Sequence, residues 1–311
     1  MLDQLVVQRL RGARRVLIAG CGGGYDVLGA VPLRHALRAA GIEVHLASLS
    51  FAYLNGLANA LQDARTPNLY AVGAAAASTR AYCPEAHLAA FLDREDGGEH
   101  IVWSFDKTGV RPLALAYRQL VTRLGIDAIV LVDGGIDALL RGDETSLGTP
   151  SEDLASLAAA TALDVPVLLA CVGMTAELRD GIAHAHVFER IAELTREGAY
   201  LGASALVAGT PACDVYLRAV EAVFAGQAEQ KQSHVHKVIT RAVRGEFGAT
   251  APHVWLSALA NLFWFFDAHT VARTHCFLDE LRATDSIWDV AARIEGIRKS
   301  LAIKSPAPIP I

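Results

Sequence analysis

Short apolar runs alternate with stretches of helical period through the first half of this chain. Residues 15–19, 43–49, 101–105, 127–132 and 166–172 are each rich in aliphatic or β-branched side chains and too short to be buried helices. This alternation predicts βαβ units and a mostly parallel, doubly wound α/β sheet of Rossmann-like architecture. Residues 128–132 and 165–171 are apolar at nearly every position, which places them as strands covered by helices on both faces. Ligands of such sheets bind beyond the carboxyl ends of the strands. Chemistry is therefore expected in residues 20–26, 48–55, 106–111, 133–149 and 173–177.

The second half reads as more helical. Residues 187–195 and 215–224 carry apolar side chains at helix spacing. Ser233 is placed to cap a helix whose Val235, Val238, Ile239, Ala242 and Val243 form one stripe before Gly245. That helix turns His234 and His236 to different faces, so the pair is not expected to share a metal. Residues 261–267 read as a late buried strand, with Asp267 placed to cap the helix that follows. The last helix begins at Ser286 with a capping box completed by Asp289. Residues 1–303 are expected to form one large α/β domain, and the prolines of 304–311 a tail that is extended or disordered.

With 311 residues, 52% of them hydrophobic, the chain can bury a sizeable core. It offers no run of about 18 apolar residues and no signal-like start, so a cytoplasmic protein without a membrane partner is expected. Its cysteines, Cys21, Cys83, Cys171, Cys213 and Cys276, lack Cys-x-x-Cys spacing and read as reduced thiols. The net charge of −5 is located in one place: residues 133–153 hold six acids and a single base, Arg141. The rest of the chain is balanced, and nucleic acid is not an expected partner. Trp255, Phe263, Trp264, Phe265 and Phe266 supply aromatic surface for the core, the favoured reading, or for a contact between copies in a homo-oligomer.

Two stretches carry candidate chemistry. In Gly20-Cys-Gly-Gly-Gly-Tyr-Asp26 the glycines Gly22, Gly23 and Gly24 free main-chain N–H groups to hold a phosphate or carboxylate. Asp26 suits a helix start, or accepts from a ribose or a metal-bound water, and Pro32 should kink or delay that helix. The second stretch is the acidic loop from Asp133, where Gly134 and Gly135 let the chain turn sharply. Asp133, Asp137, Asp143 and Glu144 are its candidate carboxylates. Asp133, Asp137, Glu144 and, after the next strand, Glu177 are the catalytic candidates, with Mg2+ on Asp133 and Asp137. Thr149, Pro150 and Glu152 read as a capping box and Asp153 as helix-start acidity, which leaves Glu152 and Asp153 off that list.

Phosphate beside several carboxylates calls for a cation bridge, or for a ligand with separate anionic and polyhydroxyl ends. Lys107 and Arg111 are the basic side chains placed to contribute. NAD is disfavoured, because residues 47–50, Ala-Ser-Leu-Ser, hold no acid at the end of the second strand. There is no Gly-x-Ser-x-Gly elbow, Walker loop or His-Glu-x-x-His motif.

The glycine loop ending in Asp26, the Asp133-Gly-Gly-x-Asp137 turn and the run from Gly142 to Asp153 together resemble an uncharacterised Rossmann-like domain family of bacteria and archaea. The resemblance implies the fold and the grouping of these loops over most of the chain, and brings no reaction with it. The residues themselves point to an enzyme that holds a small phosphorylated or nucleotide-like molecule at residues 22–24 and processes it beside Asp133 and Asp137. Hydrolysis or group transfer is favoured over redox chemistry. Two alternatives stand beside this reading: hydrolysis of an N-glycosidic bond, and a non-catalytic ligand-sensing or scaffold protein.

Overall fold

Nine strands form one mixed sheet in the computed structural model, which describes residues 2–251 and 254–308. In chain order the strands are β1 (Arg15–Gly20), β2 (Glu43–Leu49), β3 (Leu61–Gln62), β4 (Leu69–Val72), β5 (Val102–Phe105), β6 (Ala128–Asp133), β7 (Val167–Val172) and β8 (Tyr200–Ala205). They continue with β9 (Gly248–Ala251), β10 (Val254–Leu256) and β11 (Leu262–Asp267). The sheet runs β3-β4-β5-β2-β1-β6-β7-β11-β8, and β9 with β10 makes a separate hairpin. The five strands from β5 to β7 in that order are parallel. The outer strands β3, β4, β11 and β8 pair antiparallel.

Alternation along each strand sends side chains to two helical layers. Val16, Ile18, Val130 and Val132 pack beneath α1 (Leu2–Arg9), α2 (Ala30–Ala39), α3 (Pro84–Asp96), α7 (Pro211–Gly226) and α8 (His234–Val243). Leu17, Ala19, Ile129 and Leu131 face the opposite layer. It contains α4 (Val110–Leu124), α5 (Pro150–Ala160), α6 (His184–Arg196), α9 (Ala268–Arg273), α10 (Leu278–Leu281) and α11 (Ile287–Arg298). The chain builds outward from β1 through β2 to β5, then returns to the other side of β1 for β6 and β7. The loops after β1 and β6 therefore leave neighbouring strand ends in diverging directions, the switch point at which sheets of this class hold their ligands.

The five parallel strands lie where periodicity places them. The edge strands β3, β4 and β8 are not visible in that pattern. β3 and β4 are two and four residues long, and β8, Tyr-Leu-Gly-Ala-Ser-Ala, is mostly part-exposed. A single turn of 3-10 helix, Asp26–Gly29, precedes α2, so Pro32 delays the helix and sits in its first turn. Ser233 caps α8 through the His236 N–H, Asp267 caps α9 through that of Thr270, and Ser286 with Asp289 forms a reciprocal box.

Two expectations are corrected. Thr149 does not cap α5: its N–H and hydroxyl both go to Asp137, and Glu152 turns outward to Lys107. At the start of the tail, which is not helical, the Lys304 N–H donates to the Asp143 carbonyl at 2.8 Å. Residues 309–311, the end of the expected tail, lie outside the described residues. Phe263, Trp264, Phe265 and Phe266 are buried, whereas Trp255, the second corrected expectation, is exposed on the hairpin beside Phe247. No helix among the described residues is long and apolar enough to cross a membrane.

One buried cation ties α6 and α9 to the loop after β6. The Arg190 guanidinium donates to the carbonyls of Leu139 and Val271 and to the Thr274 hydroxyl, and pairs with Glu193 at 2.8 Å. Truncation would leave two carbonyls and part of an ion pair without donors in a dry layer. Arg190→Ala is expected to lower unfolding free energy by about 3–5 kcal/mol in urea titrations. A loss under about 1 kcal/mol would mean that water replaces the guanidinium at little cost.

Candidate functional site

Five carboxylates converge at the carboxyl ends of β1, β6 and β7. Asp133 ends β6, Asp137 opens the 3-10 turn Asp137–Leu139, Asp153 stands in the first turn of α5, and Glu177 lies in the 3-10 segment Met174–Asp180 after β7. These four are buried, and Asp26, on the turn after β1, keeps some exposure. One oxygen from each of Asp133, Asp137 and Asp153 lies within 4.8 Å of the others. The Cys21 thiol, Asp26 and Asp153 form a second such group, so Asp153 is common to both. Each residue offers a single donor atom to these groups, and three oxygens at such spacing suit a hard divalent cation.

Glycine is required at three points where main chain runs past these groups, Gly22, Gly134 and Gly135. A Cβ on Gly22 would stand 2.5 Å from an Asp153 oxygen and 2.6 Å from one of Asp26. On Gly134 it would meet Asp26 at 2.4 Å, and on Gly135 it would meet Glu177 at 2.4 Å and Asp133 at 3.0 Å. Main-chain N–H groups carry part of the charge. Gly22 donates to Asp26 at 2.7 Å, Ile136 to Glu177 at 2.6 Å, Ala138 to Asp133 at 3.2 Å and Thr149 to Asp137 at 3.0 Å. The Cys21 thiol donates to Asp153 at 3.5 Å.

No Lys or Arg among the described residues forms an ion pair with any of the five. Burial is the largest influence on every one of them and disfavours the charged form. It raises Asp26 to about 7 against the N–H groups of Gly22 and Gly134, and Asp137 to about 6 against Thr149. Asp133, Asp153 and Glu177 are pushed well above the usual carboxylate range by burial and then by their neighbours' charges. The thiols of Cys21 and Cys171, one on each side, are raised for the same reasons.

The glycine loop has a second side. Gly23 and Gly24 are buried in left-handed conformations, φ +92° and +64°, that their lack of a side chain permits. Their N–H groups donate to no acceptor among the described residues, while Gly22 spends its own on Asp26. The Phe51 ring lies against Gly23 and the Tyr82 hydroxyl against Gly24. Lys107 stands 4.0 Å from the Phe51 ring centre and pairs with Glu152 at 3.1 Å, which puts it at the rim.

Other candidates go elsewhere. Arg111 is held by Asp285 in an exposed pair at the start of α4. Glu144 accepts the N–H groups of Arg141 and Gly142, each at 2.8 Å, and so stabilises its own turn. Asp143 faces Arg141 and Lys304. His236 bonds to Tyr216 and to the Tyr25 carbonyl, whereas His234 lines a surface groove between α7 and α8. Asp153, set aside as helix-start acidity, is a central member of the cluster. A signal for it was present: Asp153, Ser156, Leu157 and Ala160 follow the spacing of one helix face, and all four are buried.

Residues 70–299 match the model of a family described as protein of unknown function (DUF1152), and the chain belongs to that family. The matched region contains Asp133, Asp137, Asp153 and Glu177 and begins after the glycine loop. No curated protein and no solved structure matches the chain.

Carboxyl groups whose pKa is higher folded than unfolded take up protons on folding, so stability falls as pH rises. The loss begins near the unfolded carboxyl value of about 4 and runs through the values of about 6 for Asp137 and about 7 for Asp26. Without divalent cations the melting temperature is expected to be lower at pH 7.5 than at pH 5.5 by roughly 5 °C. Asp133→Asn should recover much of that difference at pH 7.5. Calorimetric scans at the two pH values test this, and equal melting temperatures would show that the cluster is not under charge stress.

Proposed function

We propose that this chain is an enzyme that binds a small phosphorylated, nucleotide-like molecule together with a divalent cation and carries out hydrolysis or group transfer on it. One juxtaposition supports the reading. The buried residues Gly23 and Gly24, whose N–H groups find no acceptor among the described residues, adjoin buried carboxylates that no basic side chain among those residues neutralises. The first feature favours an anion and the second a cation, and a metal-bound phosphate satisfies both at once.

In this reading Asp133, Asp137 and Asp153 hold Mg2+ or Mn2+ through one oxygen each. When bound, the cation neutralises phosphoryl charge and acidifies a coordinated water. Gly23 and Gly24 orient the phosphoryl oxygens through their N–H groups. Asp26 is the part-exposed carboxylate, and its pKa of about 7 suits a general base that takes a proton from the attacking water or hydroxyl. Glu177 fixes the Ile136 peptide and thereby the approach of Gly135 to Asp133, a positioning role. Lys107 meets the outer end of the ligand from the rim.

Calorimetric titration with Mn2+ at pH 7.5 is expected to show binding to the wild type and at least tenfold weaker binding to Asp133→Asn and Asp137→Asn. On a panel of nucleoside phosphates, turnover should depend on the cation and fall by about 10²–10³ in Asp133→Asn. Product analysis separates released phosphate, a transferred group and free base. Full turnover in folded Asp133→Asn would overturn the proposal, and tight ligand binding with no product would select a sensing protein instead.

A further inference from the structure

Beside the glycine loop, on the β2 side, lies a second buried polar group to which the foregoing gives no task. Glu85, the second residue of α3, has no exposed surface, and its Oε1 has no hydrogen-bond partner among the described residues. Its other oxygen accepts from the Cys83 thiol at 3.5 Å. Ser48 and Ser50, buried at the end of β2, turn their hydroxyls to the same carboxyl and favour its charged form, against the burial that raises its pKa. The Tyr25 hydroxyl, in the residue between Gly24 and Asp26, is also buried without a partner among the described residues. Tyr82 joins the two regions. Its ring meets that of Tyr25 edge-on with centres 5.7 Å apart, and its hydroxyl lies against Gly24. The charges of Glu85, Tyr25 and Asp26 all act on its phenol.

Neither orphan is a loose surface group. The start of α3 is fixed by Gln227, which accepts the Cys83 N–H at 2.9 Å and donates to the carbonyls of Ser78 and Ala81. Tyr25 is fixed by His236, whose Nε2 donates to its carbonyl at 2.9 Å while Nδ1 accepts from the Tyr216 hydroxyl at 2.8 Å. Folding thus holds one carboxyl oxygen of Glu85 and the Tyr25 hydroxyl in place without a partner among the described residues, where most buried polar groups are satisfied. In open sheets of this class an acid at the end of the second strand accepts from ribose hydroxyls. Here β2 ends in Ala47-Ser-Leu-Ser50, and α3 delivers the acid to that place from outside the strand.

We infer that Glu85 and Tyr25 form the hydroxyl-reading end of the ligand site, and that the ligand is a ribosyl phosphate with its phosphate on Gly23 and Gly24 and its vicinal hydroxyls on Glu85 and Tyr25. The inference rests on the phosphate-binding reading above. Phe51, nearly half exposed at 45%, lies against Gly23 and Tyr82 against Gly24, so the ligand enters by displacing their rings. Atoms already buried and fixed then gain partners that water does not supply, which gives discrimination against analogues lacking the hydroxyls.

The test uses the full chain with AMP and 2′,3′-dideoxy-AMP as probes, each titrated with and without Mn2+. The wild type is expected to bind AMP at least tenfold more tightly than the dideoxy analogue, and Glu85→Gln and Tyr25→Phe should each reduce that ratio to about threefold or less. Tyr25→Phe keeps the ring and decides the matter should Glu85→Gln fail to fold. Equal affinity of the wild type for the two probes overturns the inference, as does an undiminished ratio in both variants or no binding of AMP at millimolar concentration. The metal reading fails separately: discrimination that persists while Mn2+ does not bind keeps the hydroxyl end and removes the cation.

Discussion

Crowding of like charge at one buried point governs the design of this molecule. Asp26, Asp133, Asp137, Asp153 and Glu177 approach one another at the ends of three parallel strands, where the low dielectric magnifies their repulsion. A cluster of this kind persists only if it is protonated, supplied with N–H donors or charged with a cation. The fold uses the second remedy as far as the backbone allows. Gly22, Ile136, Ala138 and Thr149 each give an N–H to a carboxylate, and glycines stand wherever those donors run too close for a Cβ. Local rules yield to this demand. Thr149 gives up its expected capping role, and Gly22 directs its N–H to an internal acid.

The more helical second half serves as the frame that keeps the crowded loops in place. Arg190 reaches from α6 to the carbonyl at the end of the Asp137 turn. Arg298, from α11, donates to the carbonyls of Gly142 and Glu144 and so steadies the loop between Asp137 and α5. His236 holds the Tyr25 peptide from α8, and burial lowers its pKa to about 4, so it stays a neutral imidazole near neutrality. Clamps of this sort fix donor and acceptor positions before any ligand arrives, which is how a site avoids reorganisation during reaction.

Legibility of the site in the chain followed its locality. Asp133 is visible because an apolar run ends there and two glycines follow, and Asp137 because it closes the same turn. Glu144 has equal local merit, yet it satisfies the N–H groups of Arg141 and Gly142. Arg111 likewise looks available until Asp285, far along the chain, takes it. Asp153 was hidden by a sound argument, since an acid in the first turn of a helix is ordinarily explained by the dipole. What distinguishes it is the face it occupies, toward Cys21 and the glycine loop, and a capping argument does not read faces. Glu85 had no local signal at all, because the serines beside it lie at the end of β2, more than thirty residues away along the chain.

By itself the sequence determined the parallel core, the helices on both sides of it, and the two loops that meet at the strand ends. All of these follow from apolar periodicity and from glycine and proline placed next to strand ends, which act over a few residues. Only tertiary structure decided which acids share a volume, which basic groups are spent elsewhere and which buried atoms are left without partners. Those outcomes depend on distances between elements many residues apart, and such distances are set by how the layers pack rather than by any pattern along the chain.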